Sequence, residues 1–519
     1  MLDRLFGYKV HNLLHVLGMS VLAFGLPLNK VLMSIGAIWG VSNLVLEGDF
    51  TNYWNNIKKN KVFLLLFAFF SLHILGLLWS SDFGYAMHDL LIKLPLLSVP
   101  LAFAARPITD SKNIHFILYA LIASLLFTSI TNIGFYLQWF GPKEYSDFRQ
   151  LSLFGSHIRY GILIALGAAI CIYFIFKSQT LYSKAIWLTI FSWFSIYTFY
   201  SQVLSGALSL IVIVLVSFFY FLYQYSKRFT IIIGILLLGI FYFFIQFFIP
   251  SKQVQIDVSS LPEKTIEGNY YSHALDQTET EDNKLIYQSF CEVELMREWN
   301  RMSKLSYDGI DKINQPLRYS LMRYLTSKDL SKDAVGIKQL TKQDVVNIEN
   351  GISSINQLKT GMLGRLYGVK YELNNHSDPN GHSLLQRFEY WKTGFHIIQN
   401  HWLIGVGNGD VQRAFDLQYE KDKTLLIQKH RVRAHNMYLT VWISFGIFGL
   451  LIFIGFIFSY LKQAIKNQEI LPLMFICVAI VTFTIEDTLE TQLGVCIFSL
   501  FTGLFINKIE NKNLSSIAN

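Results

Sequence analysis

The chain has 519 residues, 52% of them hydrophobic and 15% aromatic, with only 15% charged and a mean hydropathy of +0.36. Apolar runs long enough to cross about 30 Å of hydrocarbon recur along it, which excludes an ordinary soluble enzyme. The formal net charge of +8 gathers in short loops between these runs, so it reads as an orientation signal and not as a nucleic-acid surface.

Twelve spans are predicted, at 13–28, 31–46, 61–79, 88–105, 115–138, 157–176, 185–200, 203–221, 230–249, 437–459, 471–485 and 490–507. The fold class is therefore an all-α polytopic membrane protein. The first run leads into others without a cleavage signal and is expected to be a retained anchor. Ser201 and Gln202 alone separate the seventh and eighth runs, which form a tight hairpin or one broken element.

With the N-terminus in the cytoplasm, Arg4, Lys9, Lys58, Lys59, Lys61, Arg106, Lys112, Lys177 and Lys184 fall on the cytoplasmic side. Lys227, Arg228, Lys462, Lys466, Lys508 and Lys512 join them. The short outer loops hold only Lys30, Lys143 and Arg149, with Arg159 just inside the sixth span. The opposite orientation breaks this bias repeatedly. Both termini are thus expected in the cytoplasm.

Residues 250–436 then face the periplasm or cell exterior between the ninth and tenth spans, a segment too long for a passive connector. It contains "SFCEVELMREWNRMSKL" and "SLLQRFEYWKTGFHIIQN", so a folded, mainly helical cap is expected, with the polar, acidic part near 251–285 loosely ordered. The domain plan is 1–249 for spans one to nine, 250–436 for the cap, and 437–519 for the last three spans and tail. Cys171, Cys477 and Cys496 lie in apolar runs and leave Cys291 alone in the cap, so no disulfide framework is expected.

Polar residues collect at the predicted outer face. In "SLLQRFEYWKTGFHIIQN", Leu384, Arg387, Trp391, Phe395 and Ile398 recur at helical spacing, and Arg387 and Trp391 share one face. They form either a ligand-facing pair or a plain cation–aromatic packing contact. In "HWLIGVGNGD", Gly405, Gly407 and Gly409 let backbone approach a ligand or turn sharply, and match neither standard phosphate loop.

The stretch "HRVRAHNM" sets His430, Arg431, Arg433 and His435 before the tenth span, with Asn436 as its N-cap. Basic side chains at a helix N-terminus oppose its dipole but attract the same polyanion. Headgroup snorkelling by Arg431 and Arg433 is the alternative. "GSHIRYG" brings His157 and Arg159 to the outer start of the sixth span, where a charge is costly without a role. In "EDTLETQLG", Glu486, Asp487, Glu490 and Gln492 either pair with the arginines or form a wetted turn. His376, His382, His396, His401, His430 and His435 build no tight ligand motif, and there is no HExxH, CxxC, DxD or GxSxG. Metal-independent chemistry without a cofactor is expected.

At these residues the chain resembles the O-antigen ligase and polymerase family of bacterial membrane proteins. The likeness covers the twelve-span plan with its late outer loop and, in detail, Leu384 to Leu450: Arg387 and Trp391, the glycines 405, 407 and 409, His435 with Asn436, and "GIFGLL" from Gly446. "HIRYG" and "EDTLETQLG" look like the variants of Bacteroidetes-type members. Trp402 stands where the family usually has proline. An arginine that its ligases carry on a middle span is absent, since "SQVLSGALSL" has Leu204 and Ser205 there; either Arg159, Arg431 or Arg433 supplies that charge, or the donor is bound differently, or the activity has diverged.

The resemblance implies inverting glycan transfer from an undecaprenyl-diphosphate carrier to an acceptor hydroxyl, most readily ligation to lipid A–core, alternatively repeat-unit polymerisation. Arg387 and His435 would be catalytic, Arg387 on the diphosphate leaving group and His435, with an ordinary pKa of about 6.5, on the acceptor hydroxyl. Arg433, Arg431, Arg159, His157, Trp391, Asn436, Gly407 and Glu490 would bind substrate. A transporter or flippase, and a non-catalytic glycan-binding protein, are the competing classes; both the donor and membrane lipids are expected partners, and nucleic acid is not.

Overall fold

In the computed structural model, residues 7–141, 152–246 and 261–515 are described, apart from 275, 314, 360, 376–378, 381 and 382. Arg4, Lys143, Arg149, His376, His382 and the start of the acidic stretch near 251–285 lie outside them. The chain divides into two compact units, Met1–Thr230 with Arg387–Asn519, and Ile231–Gln386.

A helix stands at each predicted span: α1 (Tyr8–Gly25), α2 (Lys30–Glu47) and, after the short α3 (Phe50–Ile57), α4 (Lys61–Leu75), α5 (Phe83–Ala105), α6 (Ser111–Tyr136), α7 (His157–Lys177), α8 (Leu181–Tyr200), α9 (Leu204–Tyr225) and α10 (Lys227–Gln246). The second unit contributes α11 (Glu292–Met302), α12 (Leu317–Ser327), α13 (Ala334–Lys338), α14 (Lys342–Glu349) and α15 (Gly361–Asn375). The chain continues with α16 (Ser383–His401), α17 (Val411–Lys421), α18 (Met437–Lys466), α19 (Ile470–Ile485) and α20 (Gln492–Ser515).

Among the described residues, seven of these helices are long and apolar enough to cross a membrane: α2, α4 with its 3-10 extension to Leu78, α5, α6, α7, α9 and α18. Composition and length explain why the count is below twelve. Lys9, His11, Asn12 and His15 dilute the apolarity of α1, and hydroxyl residues that of α8. α19 has 16 residues, only ~24 Å of rise.

α7 is the most enclosed of the seven, packed by α8 and α9, with Gly161 against Gly206 where α7 and α9 touch. α5 lies against α2, α4 and α20. The apolar faces of these helices merge into one core running from Val16 to Ile506.

α18 is broken at Gly446, whose φ of 65° and ψ of −166° are not helical. The freed carbonyls of Ile443 and Ser444 accept from Val406 N (2.8 Å) and Gly407 N (3.0 Å), while Ile447 N donates to Trp402 O at 2.9 Å. A Cβ on Gly446 would collide with the Leu403 carbonyl, and one on Gly405 with the Ser444 backbone. Both glycine clusters therefore serve a crossing of two backbones. Gly446→Ala is expected to cost about 2–4 kcal/mol, from left-handed backbone plus overpacking, and to lower the melting temperature in detergent accordingly. An unchanged melting temperature would contradict this account of the break.

The second unit is mainly helical, with a two-stranded ribbon (β1, Thr280–Glu281; β2, Lys284–Leu285) and its own core of Leu295, Trp299, Tyr307, Leu321, Tyr324, Leu325 and Ile348. Its buried acids include Glu281, Glu294 and Asp344. Asp344 closes a capping box with Thr341 at the start of α14 and takes Lys328 (2.8 Å) and Tyr324 (2.6 Å). Burial would raise its pKa, but these bonds hold it well below the usual carboxylate range.

Candidate functional site

Two loops of the first unit run antiparallel beside the start of α18. Arg433 Nη1 donates to Glu490 Oε2 at 2.7 Å, and Asn436 Nδ2 donates to Thr484 O at 3.0 Å. Between them, His435 Nδ1 stands 3.4 Å from Asp487 Oδ1 and 3.6 Å from Glu486 Oε2. Partners descend one loop as they ascend the other. Asn436 caps α18 as its position predicts, its Oδ1 accepting from Leu439 N at 3.1 Å. His435 adopts a φ of 44°, a left-handed turn that histidine tolerates better than β-branched residues, and this turns its ring back on the acids.

α16 adds the third piece. Arg387 Nη2 donates to Glu486 Oε1 at 2.8 Å and its Nε to Ile485 O at 3.2 Å. Three residues on, the ring of Tyr390 lies 5.7 Å from that of His435. Arg387 and His435 thus share one carboxylate, although 48 positions separate them in the chain.

Glu486 and Asp487 are buried, so they act as paired charges and not as a wetted turn. Burial alone would lower the pKa of His435. The two carboxylates at its Nδ1 overcome that and raise it to about 9. This departs from the ordinary value expected from sequence, and makes His435 mostly imidazolium at neutral pH. No hydrogen bond closes on Nδ1; the contact is an ion pair. Asp487 responds in the opposite sense: burial would raise it, but His435 and the charge of Arg159 hold it below the usual range.

Nδ1 of His435 and one oxygen each of Glu486 and Asp487 lie within 4.8 Å of one another, close enough to ligate a divalent cation. Arg387 holds the other oxygen of Glu486, Oε1, at 2.8 Å. The geometry is that of a charge cluster balanced by side-chain cations.

A second buried cluster adjoins the first. Lys93 Nζ donates to both oxygens of Asp89 at 2.7 Å and lies 2.8 Å from Glu490 Oε1. Arg433 Nη2 donates to Tyr85 Oη at 2.7 Å. Tyr85, Asp89 and Lys93 recur every fourth residue on α5, a stripe that our reading of the sequence missed. Its signal was there: opposite charges four apart inside an apolar run.

The remaining predicted residues are dispersed. Arg159 Nη1 reaches Ser156 Oγ at 3.3 Å, and its buried Nε has no partner. Ser205, where an arginine was expected, donates instead to Ile158 O at 3.2 Å, so the start of α9 adjoins the residue before Arg159. His157 opens α7 and is half-buried. Trp391 packs beside Phe388, with a buried indole N–H that has no partner. Arg431 Nε donates to Leu426 O at 3.0 Å and steadies its own loop. Gly407 meets Ser80, Trp79 and Gly76 at the end of α4. A shallow hollow of about 400 Å³ opens there, but its charged lining residues, Asp410 and Arg413, are both engaged by Ser81.

Residues 348–454 match the family model described as O-antigen ligase. Over this stretch the chain is similar to O-antigen ligases. No curated protein matches the chain. The O-antigen ligase match includes Arg387, Arg433, His435 and Asn436 and ends inside α18, so the acidic turn that receives these residues lies beyond it. The apolar helices make this a membrane protein, and its matched stretch is similar to O-antigen ligases.

Proposed function

We propose that the chain transfers a glycan from undecaprenyl diphosphate to an acceptor hydroxyl at the periplasmic face of the inner membrane, first of all as a ligase onto lipid A–core. In this reading all twelve predicted spans cross the membrane, both termini are cytoplasmic, and the segment 250–436 is periplasmic. The observation that carries the reading is the convergence of Arg387 and His435 on one buried acidic turn.

With His435 charged, it and Arg387 balance Glu486 and Asp487, and Arg159 adds a surplus positive charge. That favours an anionic diphosphate. The acceptor oxygen bonds to the anomeric carbon from the face opposite the diphosphate, the C–O bond to the carrier breaks, and its electron pair leaves on the diphosphate. Guanidinium contacts from Arg387 stabilise that developing charge. The hydroxyl proton passes to His435 Nε2, the ring nitrogen turned away from the acids, and then to solvent. In the resting state His435 must first lose a proton; about one part in a hundred is neutral at pH 7. Charge stabilisation by side chains leaves no step that requires a metal.

The test is the purified protein in proteoliposomes with a labelled lipid-linked glycan, with and without lipid A–core, in EDTA. The expected result is labelled lipid A–core in step with released undecaprenyl diphosphate. Longer lipid-linked chains formed without lipid A–core would assign the polymerase reaction instead. Movement of glycan across the bilayer without bond cleavage would overturn the proposal.

A further inference from the structure

We infer that Lys93 is a positioning residue that holds the acidic turn at its working distance from His435. The inference rests on the glycan-transfer reading above. Lys93 lies ten residues into α5, ~15 Å along its axis, with its side chain 3% exposed. Its ammonium meets three carboxylate oxygens, two on Asp89 and one on Glu490, which matches its three N–H donors. Such charges are costly in a membrane helix, and an apolar stripe of similar volume would stabilise α5 as well or better. Stability alone does not explain them.

Position does. Glu490 is gripped at Oε1 by Lys93 and at Oε2 by Arg433. Its backbone N–H donates to Asp487 O at 3.0 Å, so fixing Glu490 fixes the residue that faces His435. Arg433, two positions before His435, is tied at its other end to Tyr85. Both loops of the site are therefore moored to one stripe of α5. The His435–Asp487 approach of 3.4 Å is not closed by a hydrogen bond of its own, so its length depends on these moorings.

The groups facing His435 are Glu486 and Asp487 on the turn, Arg387 and Tyr390 on α16, Arg433 on its own loop, and Arg159 acting through Asp487. Those facing Lys93 are Asp89, Glu490, Arg433, Tyr85 and, from α4, His73.

The test compares pH profiles of transfer for Lys93→Met, Lys93→Arg and the charge-balanced double variant Lys93→Met/Glu490→Gln in proteoliposomes, with folding followed by melting temperature. Loosening the turn should lower kcat at least tenfold, leave the donor KM within about twofold, and move the His435-dependent limb about one unit toward the ordinary histidine value. Lys93→Arg should keep the limb near its wild-type position. If Lys93→Met does not fold, the double variant carries the same expectation. A folded variant with the wild-type limb overturns the inference, as does activity lost only in proportion to folded protein. Wild-type protein without transfer, or without a limb that disappears in His435→Ala, overturns the underlying reading as well.

Discussion

Replacing Arg387 with alanine is expected to lower glycan transfer by about 10²–10³-fold, the usual cost of losing one donor aimed at developing negative charge. The loss should fall on kcat, because the interaction strengthens as the carrier C–O bond breaks. Arg387→Lys should recover only part of it, since an ammonium keeps the charge but not the planar fork that holds Glu486 and Ile485 O together. Glu486 is buried, so Arg387→Ala also leaves a carboxylate short of a cation and should lower the melting temperature. Arg387→Ala/Glu486→Gln separates the two effects: stability should return while transfer stays low. A double variant that regained wild-type transfer would show Arg387 to be structural only. The measurements are initial rates in proteoliposomes and melting curves of the same preparations.

The second large effect concerns His435. His435→Ala should lower transfer by about 10²–10⁴-fold, and the wild-type rate should climb with pH up to a plateau near 9, where the neutral imidazole becomes the main form. Asp487→Asn removes one of the carboxylates that stabilise the imidazolium. Its limb should therefore move down, toward the ordinary value of about 6.5. Stability should follow the same group with the opposite sense. A folded-state pKa raised above the unfolded value stabilises fully below about 6.5, and the contribution fades as pH rises through about 9. The wild-type melting temperature should thus fall across this window more than that of His435→Gln. A flat pH–rate profile between 6 and 9 would rule out His435 as the base.

Much of the site was legible because its parts obey local rules. Asn436 lies directly before an apolar run, and it caps α18. Arg387 stood out as a charge on an otherwise apolar helix face, and the acids of "EDTLETQLG" as charge between two spans; burial decides that they pair. What escaped depended on distant neighbours. The ordinary histidine pKa failed because the carboxylates that shift His435 lie about fifty residues downstream. The glycines at 405 and 446 announced a close approach, but sequence does not say of what; the visitor is other backbone. Arg433, expected on phosphate, spends its guanidinium on Glu490 and Tyr85. Asp89 and Lys93 were readable as a charged pair but sat at the edge of an apolar window that absorbed them.

The most direct measurement is a structure of the wild-type protein in nanodiscs with undecaprenyl diphosphate bound. The account predicts the diphosphate within hydrogen-bond distance, about 3 Å, of the Arg387 guanidinium, with the His435 ring facing the space an acceptor would fill. A diphosphate held elsewhere, with Arg387 and His435 still closed on Glu486 and Asp487, would contradict it.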